Sequence, residues 1–276
     1  MSAAKIESVG VIGLGKMGGP LARHLAEAGF ETRGYDVRAE AMAAAGADGA
    51  APAGSPAELA SASDLTIVGV GFDSEVEAAL FGDGGVLESP RPGSVVAVAS
   101  TVAPATMLKI AERMDDSGIA LLDIPMARGE QAAIDGKLLI FGGGEREVFD
   151  RCRPAFSTFS DSIHHLGPVG AGQVGKLVNN LILWACISAN EEGFRLAEKL
   201  GVEAGPLRDA LLRSSAANWA LDTQAVERPM PWAEKDMTIV LKEADAARLS
   251  LPLCGTIKEV IKGVKIARGQ PMPEER

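Results

Sequence analysis

The chain has 276 residues, 47% hydrophobic and 23% charged, a mix that excludes wholesale disorder and, at roughly 150 residues per domain, supplies two cores. Its 27 basic and 37 acidic residues leave a net charge of -10, which disfavours nucleic acid or an anionic membrane as the main partner but leaves room for a small anionic substrate. Cys152, Cys186 and Cys254 form no CxxC or Cys/His spacing, and the apolar run 181–187 falls well short of the roughly 20 residues a bilayer requires. No metal site, disulfide framework or membrane span is therefore expected, and a reducing cytoplasm fits.

From Val9 to Ile163, short β-branched runs alternate with alanine- and leucine-rich stretches of helical spacing. Strands are predicted at 9–12, 31–35, 65–70, 95–99, 120–124 and 138–141, with helices between most of them. Continuous apolar strands of this kind suit a doubly wound α/β sheet, parallel and covered on both faces.

The first unit carries Gly13-Leu14-Gly15-Lys16-Met17-Gly18 between a strand and a helix predicted over 17–28. Gly13 would permit the tight turn, Gly15 the approach of a pyrophosphate, and Gly18 close packing of helix on strand, with the helix N-terminus facing the phosphates. Asp36, 18 positions after Gly18, closes the second strand, where its carboxylate can accept hydrogen bonds from an adenosine ribose. A carboxylate there repels a 2′-phosphate, so NAD is the expected cofactor; Arg33 and Arg38 keep NADP open. Val70, at the end of the third predicted strand, is a further cofactor candidate. His24 falls in an alanine-leucine helix pattern and reads as a packed or solvated residue.

After Gly167-Pro168 the pattern changes to helices at 173–200, 204–213, 233–249 and 255–267, with no strong strand run. The boundary is placed near His165, giving a domain of residues 1–165 and an all-helical domain of residues 166–276. The apolar stretch 181–187 runs almost around its helix and is expected to be buried on several sides, in part by a second subunit. Met107, Met114, Met126 and Met237 read as packing residues.

Gly170 to Asn180 opens the long helix. Lys176 and Asn180 are four residues apart and so share a helix face, with Asn179 alongside, so an amine and one or two amides can converge on a small substrate. A lysine in such a place can exchange a proton with an alcohol or carbonyl oxygen while hydride moves to or from a nicotinamide.

With these motifs the chain resembles the β-hydroxyacid dehydrogenase family, which includes 3-hydroxyisobutyrate dehydrogenases and relatives of 6-phosphogluconate dehydrogenase. The pattern GLGxMGxxxAxxLxxAG is matched over 13–29 and GxGxxxKxxNN over 170–180; Ser100-Thr101 with Pro104 matches an STxxP turn, and Lys235-Asp236 a late KD pair. The resemblance implies a Rossmann-type sheet followed by an all-α C-terminal domain, and hydride transfer on a small β-hydroxyacid or its aldehyde. It also implies Lys176 as acid/base, Asn180 as substrate ligand, Lys235 reaching the cofactor and substrate, and Ser100 and Thr101 beside the nicotinamide. A homodimer or homotetramer is expected.

Where the family reads DAPVSGG, a loop that holds the substrate carboxylate, this chain reads Asp123-Ile124-Pro125-Met126-Ala127-Arg128-Gly129. Ala127 replaces the serine, and Arg128 is expected to clamp a substrate anion, as in the branch that includes sulfolactaldehyde reductase, unless it pairs with a nearby acid such as Glu130. Two alternatives share the fold: an imine reductase-like enzyme and a non-catalytic oligomeric scaffold. Retention of Lys176 counts against both.

Overall fold

The computed structural model describes residues 5–223 and 230–271, which divide into two compact units, one ending at Lys176 and the other beginning at Leu177. In the first, the strands are β1 Ser8–Ile12, β2 Glu31–Tyr35, β3 Ala51–Pro52, β4 Leu65–Val68, β5 Val95–Val98, β6 Ala120–Asp123, β7 Met126–Ala127, β8 Leu138–Gly144 and β9 Ser160–Gly167. Helices α1 Gly18–Glu27, α2 Ala39–Ala47, α3 Pro56–Ser61, α4 Asp73–Phe81, α5 Pro104–Met114, α6 Gly129–Ile134 and α7 Arg146–Phe156 connect most of them.

The sheet order is β3-β2-β1-β4-β5-β6-β8-β7, with β9 on β8. Neighbours from β3 to β6 are parallel, with the reversal of strand order falling between β1 and β4, where a doubly wound sheet opens a crevice at its carboxyl ends. The expected parallel sheet holds from β3 to β6 and changes at the far edge: β8 runs antiparallel to both β6 and β7, and β9 pairs parallel with β8, so β8 and β9 both run against the main sheet.

Alternation along each strand explains why the apolar runs are continuous. Val9, Val11, Leu65, Ile67, Val95 and Ala97 enter one core with Leu21, Leu25 and the Phe149–Phe156–Phe159 ring cluster. Ile12, Val68, Val96 and Val98 enter a second core with Leu59, Leu80, Met107 and Ile110. Each fully buried Leu, Ile or Phe contributes about 1.5–3 kcal/mol, so both faces must be covered for the strands to persist. Cys152 lies fully inside the first core, where burial pushes its thiol up to about 12, so it carries essentially no thiolate at neutral pH. His24 ties α1 to α6 through its Nε2, 3.0 Å from the Ile134 carbonyl.

The long helix α8 runs Ala171–Lys199, and α9 Ala204–Leu211, α10 Trp219–Asp222, α11 Ala233–Ala246 and α12 Pro252–Ala267 follow. No strand occurs among the described residues of the second unit. Its core holds Met237, Val240, Cys254, Ile257 and Ile261, with one ion pair inside: Lys265 Nζ lies 2.9 Å from Glu234 Oε2. The four methionines expected to pack, Met107, Met114, Met126 and Met237, are all buried. Within the stretch 181–187, Trp184 is buried by this chain, whereas Ile182 is 58% exposed.

Candidate active site

The loop after β1 is built by its glycines. Gly13 has φ of 88°, the left-handed region that costs a side-chain-bearing residue roughly 1–2 kcal/mol, and its N–H donates to the Tyr35 carbonyl at 2.8 Å. A Cβ on Gly18 would overlap the Gly13 carbonyl oxygen, so only glycine lets α1 begin this close to β1. Leu14, Lys16 and Met17 complete the turn, with Leu14 buried and Lys16 reaching out to Glu130 at 3.0 Å. Val70 Cγ1 lies 3.0 Å from where a Gly13 Cβ would be, so Val70 stands beside this loop.

Asp36 follows β2 and binds the loop directly: Oδ2 accepts from the Leu14 N–H at 2.8 Å, and Oδ1 from the Arg38 N–H at 2.9 Å. The Arg38 guanidinium adds Nε to Oδ1 at 3.0 Å and Nη2 to Oδ2 at 3.1 Å. Burial alone would raise the Asp36 pKa, but the bonds from the Arg38 side chain, the Arg38 and Leu14 N–H groups and the Arg38 charge outweigh it and hold the carboxyl below the ordinary aspartate value. The glycine turn, a Gly15 that meets only the Arg38 guanidinium, at 3.6 Å from where its Cβ would be, and this carboxylate together fit a dinucleotide.

Beyond β4 and β5, Ser100 is buried and its hydroxyl is committed. Its Oγ accepts from the Val70 N–H at 2.9 Å and approaches the Val68 carbonyl at 3.4 Å. The hydroxyl thus ties the ends of β4 and β5 together. Thr101 follows it, half-buried, at the start of the turn into α5.

Two buried polar residues, neither singled out from the sequence, organise the start of α8. Asp123, fully buried at the end of β6, accepts from the Gly170 N–H at 2.7 Å and the Gln173 N–H at 2.8 Å, capping the helix from another element. Burial pushes its carboxyl above the ordinary range against those N–H bonds, which favour the anion. Gln173, also fully buried, accepts from the Val102 N–H at 3.1 Å and donates to the Ser100 carbonyl at 2.8 Å. A buried amide at a helix start is legible as a hint, but its partners, about 70 residues away, are not.

Lys176, half-buried, and Asn180, buried, stand one turn apart on α8. Asn179 Nδ2 donates to Asn180 Oδ1 at 2.9 Å, and Asn180 Nδ2 donates to Asp236 Oδ2 at 2.8 Å, so Asp236 fixes the orientation of the amide. Lys235, its neighbour, holds its amine 5.4 Å from the centre of the Trp232 ring.

Arg128 is tied to its own chain. It has φ of 85° in a position where the family pattern carries glycine, and its Nη1 donates to the Lys137 carbonyl at 2.9 Å and pairs with Asp161. Ala127 beside it is buried in β7. Glu130 pairs with Lys16 and not with Arg128.

No group of His, Cys, Asp and Glu side chains that could hold a metal ion occurs among the described residues, and no described helix is long and apolar enough to cross a membrane.

Comparison with known proteins agrees with this arrangement. Residues 8–167 match the NAD binding domain of 6-phosphogluconate dehydrogenase, and residues 170–272 the domain described as NAD-binding of NADP-dependent 3-hydroxyisobutyrate dehydrogenase. The NAD-dependent L-serine dehydrogenase of Pseudomonas aeruginosa is 34% identical over 226 residues, 82% of this chain and 75% of that one. The 3-hydroxyisobutyrate dehydrogenase of the same organism is 31% identical over 261 residues, 89% of this chain and 88% of its own. Among solved structures, Mycobacterium tuberculosis 3-hydroxyisobutyrate dehydrogenase with L-serine superposes with a TM-score of 0.86 at 27% identity, covering 97% of this chain and 96% of that one. An imine reductase from Pseudomonas sp. shares the fold at 20% identity with a TM-score of 0.64. With both halves of the chain matched and a glycine turn and carboxylate suited to a dinucleotide, the protein belongs to the β-hydroxyacid dehydrogenase family of NAD(P)-dependent oxidoreductases.

Proposed function

We propose that the protein oxidises a small β-hydroxyacid, or reduces its aldehyde, with Lys176 as the acid/base. The observation that carries this reading is the α8 face on which Lys176 and an Asn180 oriented by Asp236 stand one turn apart, in a chain that binds a nicotinamide cofactor. The bound nicotinamide supplies the hydride acceptor or donor. Lys176 takes the hydroxyl proton on oxidation and returns it to the carbonyl oxygen on reduction. Asn180 retains one amide hydrogen and one oxygen lone pair beyond its two hydrogen bonds, enough to orient a hydroxyl. L-Serine and 3-hydroxyisobutyrate, named with the relatives above, are β-hydroxyacids of this size. A screen of such acids and their aldehydes with NAD(H) and NADP(H), sulfonated and dicarboxylic compounds included, tests the reading; absence of turnover with all of them refutes it.

Asp36 supports NAD as the preferred cofactor. Asp36→Ala is expected to weaken NAD binding by about tenfold, the scale of a lost charge-assisted hydrogen bond, and to narrow the advantage over NADP by removing the repulsion of a 2′-phosphate. Calorimetric titration with both cofactors checks it. A wild-type protein that binds NADP much more tightly than NAD would contradict the assignment.

For Arg128 we infer a loop tie in place of an anion clamp, because its Nη1 is already bound to Asp161 and to the Lys137 carbonyl. Arg128→Ala should then change the Michaelis constants of charged and neutral substrates alike, by about threefold or less, the scale of an exposed ion pair. A loss of tenfold or more confined to anionic substrates would restore the clamp.

The same proposal takes the protein to be a homodimer or homotetramer in a reducing cytoplasm. Val174, Val178 and Ile182, spaced four residues apart along α8 and half or more exposed, support a covering subunit.

A further inference from the structure

The Asp36 carboxylate is full. Its two oxygens offer about four acceptor positions, and four donors take them: the N–H groups of Leu14 and Arg38, and Nε and Nη2 of Arg38. An adenosine ribose hydroxyl can donate to Asp36 only by displacing one of these. The two backbone donors are fixed by the β1 turn and by the entry into α2. The guanidinium is the replaceable donor: it sits on a flexible stem and its side chain is 35% exposed. It also lies over the phosphate turn, with Nη2 3.6 Å from where a Gly15 Cβ would be, on the face a pyrophosphate would approach.

We propose that Arg38 is a latch on the cofactor site, a specificity-determining residue that competes with the adenosine ribose for Asp36 and must swing off before NAD can seat. This rests on the assignment of Asp36 as the ribose ligand. The latch opposes NAD, whose ribose brings two neutral hydroxyls and nothing to reward the released guanidinium. It favours a 2′-phosphorylated ribose, because the phosphate gives that guanidinium a new bidentate partner. One side chain thus moves the two affinities in opposite directions, which a merely structural arginine would not do.

The test is calorimetric titration of wild type, Arg38→Ala, Arg38→Lys and Asp36→Ala with NAD, NADP and ADP-ribose, with no turnover required. Arg38→Ala is expected to bind NAD and ADP-ribose about three- to fivefold more tightly, in line with release of a partly exposed ion pair, and NADP about tenfold more weakly. Arg38→Lys keeps the charge but cannot fork, so it should tighten NAD by a smaller factor; thermal melting confirms that each variant is folded. Unchanged or weaker NAD binding in both Arg38 variants overturns the latch. An Asp36→Ala variant with wild-type NAD affinity instead removes the ribose assignment, so the two failures are told apart.

Discussion

Replacing Lys176 by alanine is expected to lower turnover by about 100-fold or more, since a positioned general acid/base contributes about 10²–10⁴. Lys176 lies on α8, whereas the dinucleotide turn lies after β1 and Asp36 after β2, so the dissociation constant for NAD should stay within about twofold of wild type. The combination is diagnostic: a loss of kcat with intact cofactor binding is the signature of a group that acts on the reacting oxygen. Stopped-flow measurement of hydride transfer, with separate titration of NAD, checks both halves. Turnover near that of wild type would remove Lys176 from the chemistry, and a parallel loss of cofactor affinity would mean that the substitution had disturbed the fold.

The second large effect is on stability. Asp123→Ala leaves the Gly170 and Gln173 N–H groups inside the protein without their acceptor, at about 1–3 kcal/mol each, partly offset by the removal of a buried charge. A loss of about 2–4 kcal/mol at neutral pH is expected in urea denaturation. The pH dependence has a definite sign. Burial raises the folded-state pKa of Asp123 above its unfolded value, so the folded protein binds this proton more tightly. The stabilising contribution is complete below the unfolded pKa of about 4 and is lost as pH rises through the folded pKa. The advantage of wild type over Asp123→Ala should therefore widen on acidification across that window. A constant or shrinking difference would mean that the carboxyl is not perturbed upward.

Much of this was legible in the sequence, and for reasons that can be stated. Strand β2 falls at 31–35 as predicted, and β1 and α1 begin and end within a residue of expectation, because the signal is local: β-branched runs, a glycine turn and a following amphipathic pattern. Strand β9 was missed because it pairs with β8 on one side only, and residues such as Asp161 and His164 face solvent, so no apolar run marks it. Strands β3 and β7 have two residues each, too short for any periodicity. Helix α10, four residues, is equally silent. The candidate site divides along the same line. Gly13, Gly18 and the Lys176/Asn180 spacing are properties of contiguous segments. The commitments of Ser100 to Val68 and Val70, of Arg128 to Asp161 and of Asp123 to the start of α8 join positions about 30 or more apart, and spacing carries no information about them.

The anchoring of α8 has a mechanical consequence. At about 1.5 Å per residue, its 29 residues make a rod on the order of 40 Å long, clamped at one tip through Asp123 and Gln173. A small angular error at the clamp grows with distance from it, so a side chain near the clamp is displaced least. Lys176 sits one turn from the clamp and Asn180 two, where a tilt of a few degrees moves them by well under 1 Å, the tolerance that proton transfer requires.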